Sequence, residues 1–242
     1  YKNSRIWCNS SYLGEHPNGY ISFTYDITPF FKYDEENIIS IYVNHQDISD
    51  SRWYTGSGII GNVTLHIQEQ VHMKPNGIFF FTPHVSKTEA ICYTENEIEN
   101  SSDTVAEIEV KNYLIDNEGN IITTFSERDT LPPHTSHKIC ISGSINNPSL
   151  WSPDEPALYT LKTTICMLNN SSSSEYVANT MQVGIRSIRF CPDNGFFINE
   201  IPYKIKGVCI HHDAGCLGAA VPPSVWKRRL LKLKAMGCNA IR

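Results

Sequence analysis

The sequence predicts a mainly β protein that ends in a short α/β segment. Short stretches with alternating apolar and polar residues run from the N-terminus to about residue 190, as expected of strands with one buried face. No segment before residue 200 sustains the 3.6-residue period of a helix. One convincing helical pattern follows, and it lies between two strand-like segments near the C-terminus.

The first β block covers about the first 69 residues. Ile21, Phe23 and Tyr25 alternate with polar residues, and Pro17-Asn18-Gly19 ahead of them has the composition of a turn. Further strands are predicted at 37–43 and 59–67, where β-branched and other apolar residues recur.

The second β block begins near residue 70. The segments 105–115 and 121–125 flank Asp116-Asn117-Glu118-Gly119, which predicts a hairpin. About seven short strands in this block match the size and rhythm of an immunoglobulin-like sandwich. The stretch 169–174, rich in Asn and Ser, is interpreted as an exposed hairpin tip.

The pattern changes after Gly195. A small hairpin at 196–203 and a strand at 204–210 precede a helix that Pro222-Pro223 begins and Gly237 ends. The helix has an apolar stripe at i, i+4, i+7 and i+10: Trp226, Leu230, Leu233 and Met236. With 238–242 as a second strand, this is a βαβ unit, the opening of a parallel α/β structure. A complete (β/α)₈ barrel takes about 250 residues. If the βαβ unit opens such a barrel, we expect the barrel to be truncated in the present chain.

Composition and charge disfavour several classes of protein. The 242 residues carry a net charge of −5, which makes nucleic acid a poor candidate for the main partner. No apolar run approaches the ~18 residues of a membrane span. The N-terminal residues do not resemble a signal peptide and read as the start of an excised fragment. The 8 cysteines show no C-x-x-C spacing, so we expect most to be buried thiols. N-x-S/T sequons are present but do not establish secretion, and the compartment stays open.

Four stretches together resemble glycoside hydrolase family 2, and specifically its β-galactosidase-like members. The first, 52–63 (RWYTGSGIIGNV), resembles the signature that ends the family's sugar-binding jelly-roll domain. The second, 150–161 (LWSPDEPALYTL), and the third, 183–188 (VGIRSI), resemble an element of its immunoglobulin-like domain and the exit from that domain. The fourth, 197–211, resembles the run into the catalytic barrel, although Glu200 stands where the family's hairpin usually has Gly.

The resemblance implies three domains. They are the C-terminal part of a galactose-binding-like jelly roll (1–69), an immunoglobulin-like β-sandwich (70–188) and the truncated start of a TIM-barrel catalytic domain (189–242). It also implies a fragment of a retaining glycoside hydrolase, foremost a β-galactosidase acting on terminal β-D-galactose residues. Its partner is then a carbohydrate substrate, no cofactor is expected, and the full-length enzyme is compatible with a homo-oligomer. The family's general acid/base Glu and nucleophile Glu match no position, so no catalytic residue is assigned and the fragment is expected to be inactive.

The candidate substrate-binding residues are His211, His212, Asp213 and Asp50. By resemblance, His211 matches a histidine that donates hydrogen bonds to galactosyl hydroxyls; the alternative is a histidine that caps its strand by bonding to backbone. His212 and Asp213 follow in the same loop, where many members of the family have R-H-E instead of Ile210-His211-His212-Asp213. Asp50 lies in a loop that reaches the active site in members of the family. In members of the family, a nearby Asp there binds the sugar's 6-hydroxyl or a sodium ion.

Other side chains invite a functional interpretation, but a structural one is favoured. Cys209, Cys216 and the two histidines between them are zinc-type ligands, yet their spacing matches no recognised finger and no metal is expected. Trp53 and Trp151 are interpreted as packing residues rather than sugar platforms. The basic residues of the helix are interpreted as a solvated face: Lys227, Arg228, Arg229, Lys232 and Lys234.

The sequence leaves other activities open. β-Glucuronidase and β-mannosidase remain alternatives within the family, since most residues that decide the substrate are expected outside this chain. A non-enzymatic β-sandwich that binds carbohydrate or protein is a further alternative. The segment 207–242 disfavours it, because a binding module does not need the start of a barrel.

Overall fold

The computed structural model describes residues 2–46, 56–168 and 174–242. The chain divides into two compact units, one formed by Tyr1–Leu65 with Lys206–Arg242 and the other by His66–Ile205. Strands are the main regular elements of the N-terminal part and make up most of the middle of the chain, so the predicted mainly β fold is confirmed.

The N-terminal part forms an antiparallel sheet in the order β2–β1–β3. Its strands are β1 (Ser4–Cys8), β2 (Ser11–His16) and β3 (Ile39–Val43). Asn9 follows β1 with a φ of 47°, and its Nδ2 donates to the Phe30 carbonyl and to Asn37 Oδ1 at 2.8 Å each. This side chain therefore joins β1 to the loop before β3.

Two segments predicted as strands do not form strands. Residues 21–25 and 59–67 have no ladder partner among the described residues, and Ile21 and Ile67 are 64% and 91% exposed. These predictions are wrong because alternating apolar and polar residues indicate only that one face of the segment is to be buried. A strand also needs a neighbouring backbone for its hydrogen bonds.

The middle of the chain is a two-sheet β-sandwich, as predicted. Its seven strands are β4 (Val71–Val85), β5 (Glu89–Asn100), β6 (Ala106–Ile115), β7 (Ile121–Leu131), β8 (Thr135–Asn146), β9 (Tyr159–Met167) and β10 (Glu175–Val183). One sheet has the order β4–β5–β8 and the other β10–β9–β6–β7, with every neighbouring pair antiparallel. Their alternating inward residues form one core, in which Ile98, Ile108, Leu114, Leu161 and Ile165 are fully buried.

Polar side chains also cross the interior of this sandwich. Asn112 on β6 donates to Thr94 Oγ1 on β5 at 3.0 Å and accepts a hydrogen bond from Thr163 on β9 at 2.6 Å. Nearer the edge, the Tyr176 hydroxyl on β10 donates to the Val71 carbonyl on β4, and burial raises the pKa of this phenol. Since buried polar groups are costly unless they are bonded, these contacts fix how the two sheets face each other.

The segment His66–Ile205 is expected to fold when produced alone, because its own strands bury its core. Far-ultraviolet circular dichroism should show a β spectrum and a cooperative thermal transition. A mainly helical spectrum, or no transition, would contradict an independent sandwich.

Trp151 belongs to the packing of this unit. An added Cβ on Gly184 would lie 3.0 Å from Trp151 Cβ, so the tryptophan sits directly against a glycine. The Arg186 guanidinium lies 4.7 Å from the centre of the indole ring. Asn199 Nδ2 donates to the Trp151 carbonyl at 3.0 Å, and Asn199 Oδ1 accepts from the Ser187 amide at 3.0 Å. These contacts support the packing interpretation of Trp151.

A small three-stranded sheet follows the sandwich. It contains β11 (Ile188–Cys191), β12 (Gly195–Ile198) and β13 (Ile201–Pro202). The turn between β12 and β13 consists of Asn199 and Glu200, with φ of 51° and 63°. Glu200 Oε2 accepts hydrogen bonds from Arg189 Nε and Nη2 at 3.1 and 2.9 Å. This ion pair holds the Glu200 side chain at the turn position where the family's hairpin usually has Gly.

Replacing Glu200 should separate backbone strain from the ion pair. Glu200→Gly relieves about 1 kcal/mol of left-handed strain and loses an exposed ion pair of about 0.2–1 kcal/mol, so the free energy of unfolding should change little. Glu200→Ala keeps the strain and loses the pair, and should be about 1 kcal/mol less stable than Glu200→Gly. Urea unfolding of both variants tests this, with Glu200→Gln as the control that removes the charge of the pair and keeps a side chain on the left-handed backbone. Equal stability of the Ala and Gly variants would contradict the account.

The C-terminal part contains the predicted strand, helix and strand. They are β14 (Gly207–Val208), α1 (Pro223–Ala235) and β15 (Ala240–Ile241), and the two strands are parallel. The ladder extends beyond the short strands, since the Arg242 amide donates to the Val208 carbonyl and the Ile210 amide to the Arg242 carbonyl, both at 2.9 Å. Within the described ranges, no helix is both long enough and apolar enough to cross a membrane.

Candidate functional site

The candidate site is the loop 211–222, which leaves the carboxyl end of β14 and leads to α1. His211 is the first residue after the last ladder bond at Ile210, and its side chain is exposed. The loop contains a short 3₁₀ turn (Gly215–Leu217), closed by a hydrogen bond from the Ala214 amide to the Gly218 carbonyl at 3.0 Å. His211 therefore lies at the strand end where the sequence predicts it.

His212 is half-buried against an aromatic ring from the N-terminal part of the same unit. The Tyr20 ring meets the His212 ring edge to face, with centroids 5.1 Å apart and an interplanar angle of 81°. Asn18 supports Tyr20, because Asn18 Oδ1 accepts hydrogen bonds from the amides of Tyr20 and Ile21 at 2.8 and 3.1 Å. The sequence predicts the turn at Asn18, but no local signal pairs Tyr20 with a residue so distant along the chain.

Asp213 is half-buried, and its backbone is held by the helix. Arg229 Nη1 on α1 donates to the Asp213 carbonyl at 2.9 Å. The same guanidinium lies 5.2 Å from the centre of the Trp226 ring, one turn earlier on the helix. Arg229 is half-buried, so its interpretation as part of a solvated basic face is wrong. Periodicity places it beside Trp226 but cannot show that the loop folds back onto it.

The other candidate from the sequence, Asp50, lies outside the described residues, as does Trp53. The described residues that flank this segment approach each other, since His45 Nδ1 and Ser57 Oγ are 3.3 Å apart.

The structure also locates the soft metal ligands of the chain. Within the ranges that the structure describes, no three His, Cys, Asp or Glu side chains converge as metal ligands would. All eight cysteines are free thiols, and three of them (Cys8, Cys92 and Cys166) are buried. The prediction that most thiols are buried is therefore wrong, because Cys209 and Cys216 belong to an exposed strand end and loop. Burial raises the pKa of the Cys92 thiol to about 11.

Among the described residues, the carboxylates with clearly shifted pKa values lie on the sandwich, and their pKa values shift so as to favour the charged form. A hydrogen bond from Lys74 lowers the pKa of Glu97, and hydrogen bonds from Asn120 lower that of Asp116. Hydrogen bonds from Thr164 and Tyr113 lower the pKa of Glu175. A general acid in a glycosidase needs a raised pKa, so these three groups are unsuited to that role.

Comparison with known proteins places this fold in a family. The family model described as "Glycosyl hydrolases family 2" matches residues 71–186, which include all seven strands of the sandwich. A solved structure of a glycosyl hydrolase family 2 member from Bacteroides cellulosilyticus covers 100% of this chain with a TM-score of 0.91 and 31% identity. The chain belongs to glycoside hydrolase family 2.

Curated relatives cover the whole chain. A β-galactosidase of Bacteroides ovatus, BoGH2A, is 38% identical over 244 residues, which include 100% of this chain and 28% of that enzyme. A putative β-glucuronidase of Formosa agariphila is 33% identical over 100% of this chain and 22% of its own length. The chain therefore spans less than a third of the length of either relative, and it covers 33% of the solved structure.

Proposed function

We propose that the protein containing this chain is a retaining glycoside hydrolase that removes terminal β-D-galactose residues. The observation that carries the proposal is the similarity of the whole of this chain to 28% of the Bacteroides ovatus β-galactosidase, at 38% identity. The position of His211 at the carboxyl end of β14 supports it, because sites of barrel enzymes form at the carboxyl ends of strands.

In this proposal the three predicted domains keep their assignments. Residues 1–69 are the end of a jelly roll, 70–188 the immunoglobulin-like sandwich and 189–242 the start of the catalytic barrel. Hydrolysis with retention needs one carboxyl group that protonates the leaving oxygen and another that attacks the anomeric carbon. The two carboxyl groups come from outside these 242 residues, while this chain supplies contacts to the sugar.

His211 is the proposed sugar contact of this chain. An exposed imidazole at the strand end can donate a hydrogen bond to a galactosyl hydroxyl, and such a bond lowers the barrier when it strengthens in the transition state. His212, Asp213 and Asp50 are proposed as further substrate-binding residues. Asp213 and Asp50, as carboxylates, accept hydrogen bonds from hydroxyl groups, which suits a neutral sugar.

β-Glucuronidase activity is the second candidate, since a putative β-glucuronidase is 33% identical to this chain. A glucuronide carries a carboxylate, which cationic side chains would stabilise. The loop 211–222 contains Asp213 but neither Lys nor Arg. This composition favours the neutral galactoside over the glucuronide at this part of the site.

A panel of nitrophenyl glycosides tests the proposal. The intact protein should hydrolyse the β-galactoside with a kcat/KM at least about tenfold above those for the β-glucuronide and the β-mannoside, which corresponds to ~1.4 kcal/mol of transition-state discrimination. Preference for the β-glucuronide would establish the second candidate instead. Binding of galactosides without turnover of any glycoside would favour a non-enzymatic carbohydrate-binding protein.

A further inference from the structure

The loop 211–222 needs support from outside itself. It contains three glycines or alanines in succession at Gly218-Ala219-Ala220, and both Gly215 and Gly218 have positive φ values, 56° and 54°. Such a segment has many alternative conformations, and ordering each residue costs about 1–2 kcal/mol of backbone entropy. A side chain that reaches a substrate from this loop is useful only when the loop backbone is fixed.

Two contacts fix the residues next to His211. The Tyr20 ring packs on His212, and Arg229 Nη1 binds the Asp213 carbonyl at 2.9 Å. His211 itself stays exposed at the end of the ladder. The backbone that follows His211 is therefore held by groups from outside the loop.

Arg229 suits this task for reasons of chemistry. Its planar guanidinium carries five N–H donors, so one of them can bind the carbonyl while the plane of the group stacks near an aromatic ring. The contact with the Trp226 ring restricts the side chain on the helix, which lowers the entropy lost when it binds the loop. A charged donor to a carbonyl is also stronger than a neutral one.

We propose that Arg229 is a positioning residue for the substrate loop, acting through the Asp213 carbonyl to hold His211 in place. The expected effect of Arg229 on turnover rests on the proposed glycosidase function, whereas its expected effect on the order of the loop does not. Two measurements therefore separate the two ideas.

The first measurement is hydrogen–deuterium exchange in the intact protein. Arg229→Met should increase exchange of amides in 211–222 about tenfold, whereas the β5 and β6 amides of the sandwich should not change. Arg228→Met is the matched control, because Arg228 is the exposed neighbour on the same helix. Unchanged exchange in the loop, or equal effects of both variants, would overturn the proposal whatever the protein hydrolyses.

The second measurement is the kinetics of the intact protein on the glycoside that it hydrolyses best. Arg229→Met should lower kcat/KM about tenfold, and the loss should appear in kcat if His211 acts in the transition state. Guanidinium at low millimolar concentration should restore part of the rate, whereas urea, which is planar but uncharged, should not. Arg229→Lys should retain more activity than Arg229→Met. Loss of activity without rescue by guanidinium or Lys would assign Arg229 to folding alone and overturn the positioning role.

Discussion

Replacing His211 with alanine in the intact protein is expected to lower kcat/KM for a β-galactoside about 100-fold, which is ~2.7 kcal/mol of transition-state stabilisation. His211 is an exposed residue at the end of the β14 ladder and does not belong to a buried core. The free energy of unfolding should therefore change by less than about 0.5 kcal/mol, as for other exposed substitutions.

Matched variants distinguish the sugar contact from a general effect of losing a histidine. His84 is exposed on β4 of the sandwich, and His84→Ala should leave kcat/KM unchanged. His211→Gln keeps a hydrogen-bond donor and should retain more activity than His211→Ala. Normal kinetics of His211→Ala would instead support the alternative of a histidine that only caps its strand.

The 242 residues alone are expected to hydrolyse no glycoside. We infer that the family's two catalytic carboxylates lie outside this chain, and among the described residues the three carboxyl groups with clearly shifted pKa values have lowered ones. Catalysis of this kind also needs the reacting groups positioned within about 1 Å. Here Leu230 and Met236 of the α1 stripe are 41% and 68% exposed, so the stripe is incompletely covered within this chain.

This expectation is tested by incubating the purified chain with nitrophenyl β-galactoside, β-glucuronide and β-mannoside. Release of nitrophenol should not exceed that of a mock purification from the same host. Turnover that co-purifies with the chain and is abolished by His211→Ala would place a complete active site within these residues and contradict the account.

The sandwich and the C-terminal βαβ unit were predictable because their signals are local. Inward residues of β6 alternate with outward ones along the whole strand, and Pro223 and Gly237 mark the ends of α1 where helix termini favour them. The segments 21–25 and 59–67 show the limit of such signals. Their alternation is as clear, but a ladder partner is a property of the whole fold and cannot be inferred from one segment.

The candidate site likewise has one part that local sequence predicts and another that only the tertiary structure shows. The position of His211 follows from a strand end that the sequence indicates, whereas its supports come from elsewhere in the chain. Tyr20 reaches His212 from the N-terminal part, and Arg229 reaches Asp213 from the next helix. A charge on a helix face is usually solvated, so pattern alone assigns Arg229 to solvent, and tertiary structure is needed to correct it.

The most direct test of the central claim is the configuration of the galactose that the intact protein releases from nitrophenyl β-galactoside, followed by proton NMR during the first minutes. A retaining β-galactosidase releases β-galactose first, and the α anomer appears later through mutarotation. We predict that order. Release of α-galactose first, or no release of galactose while another glycoside is cleaved, would contradict the assignment.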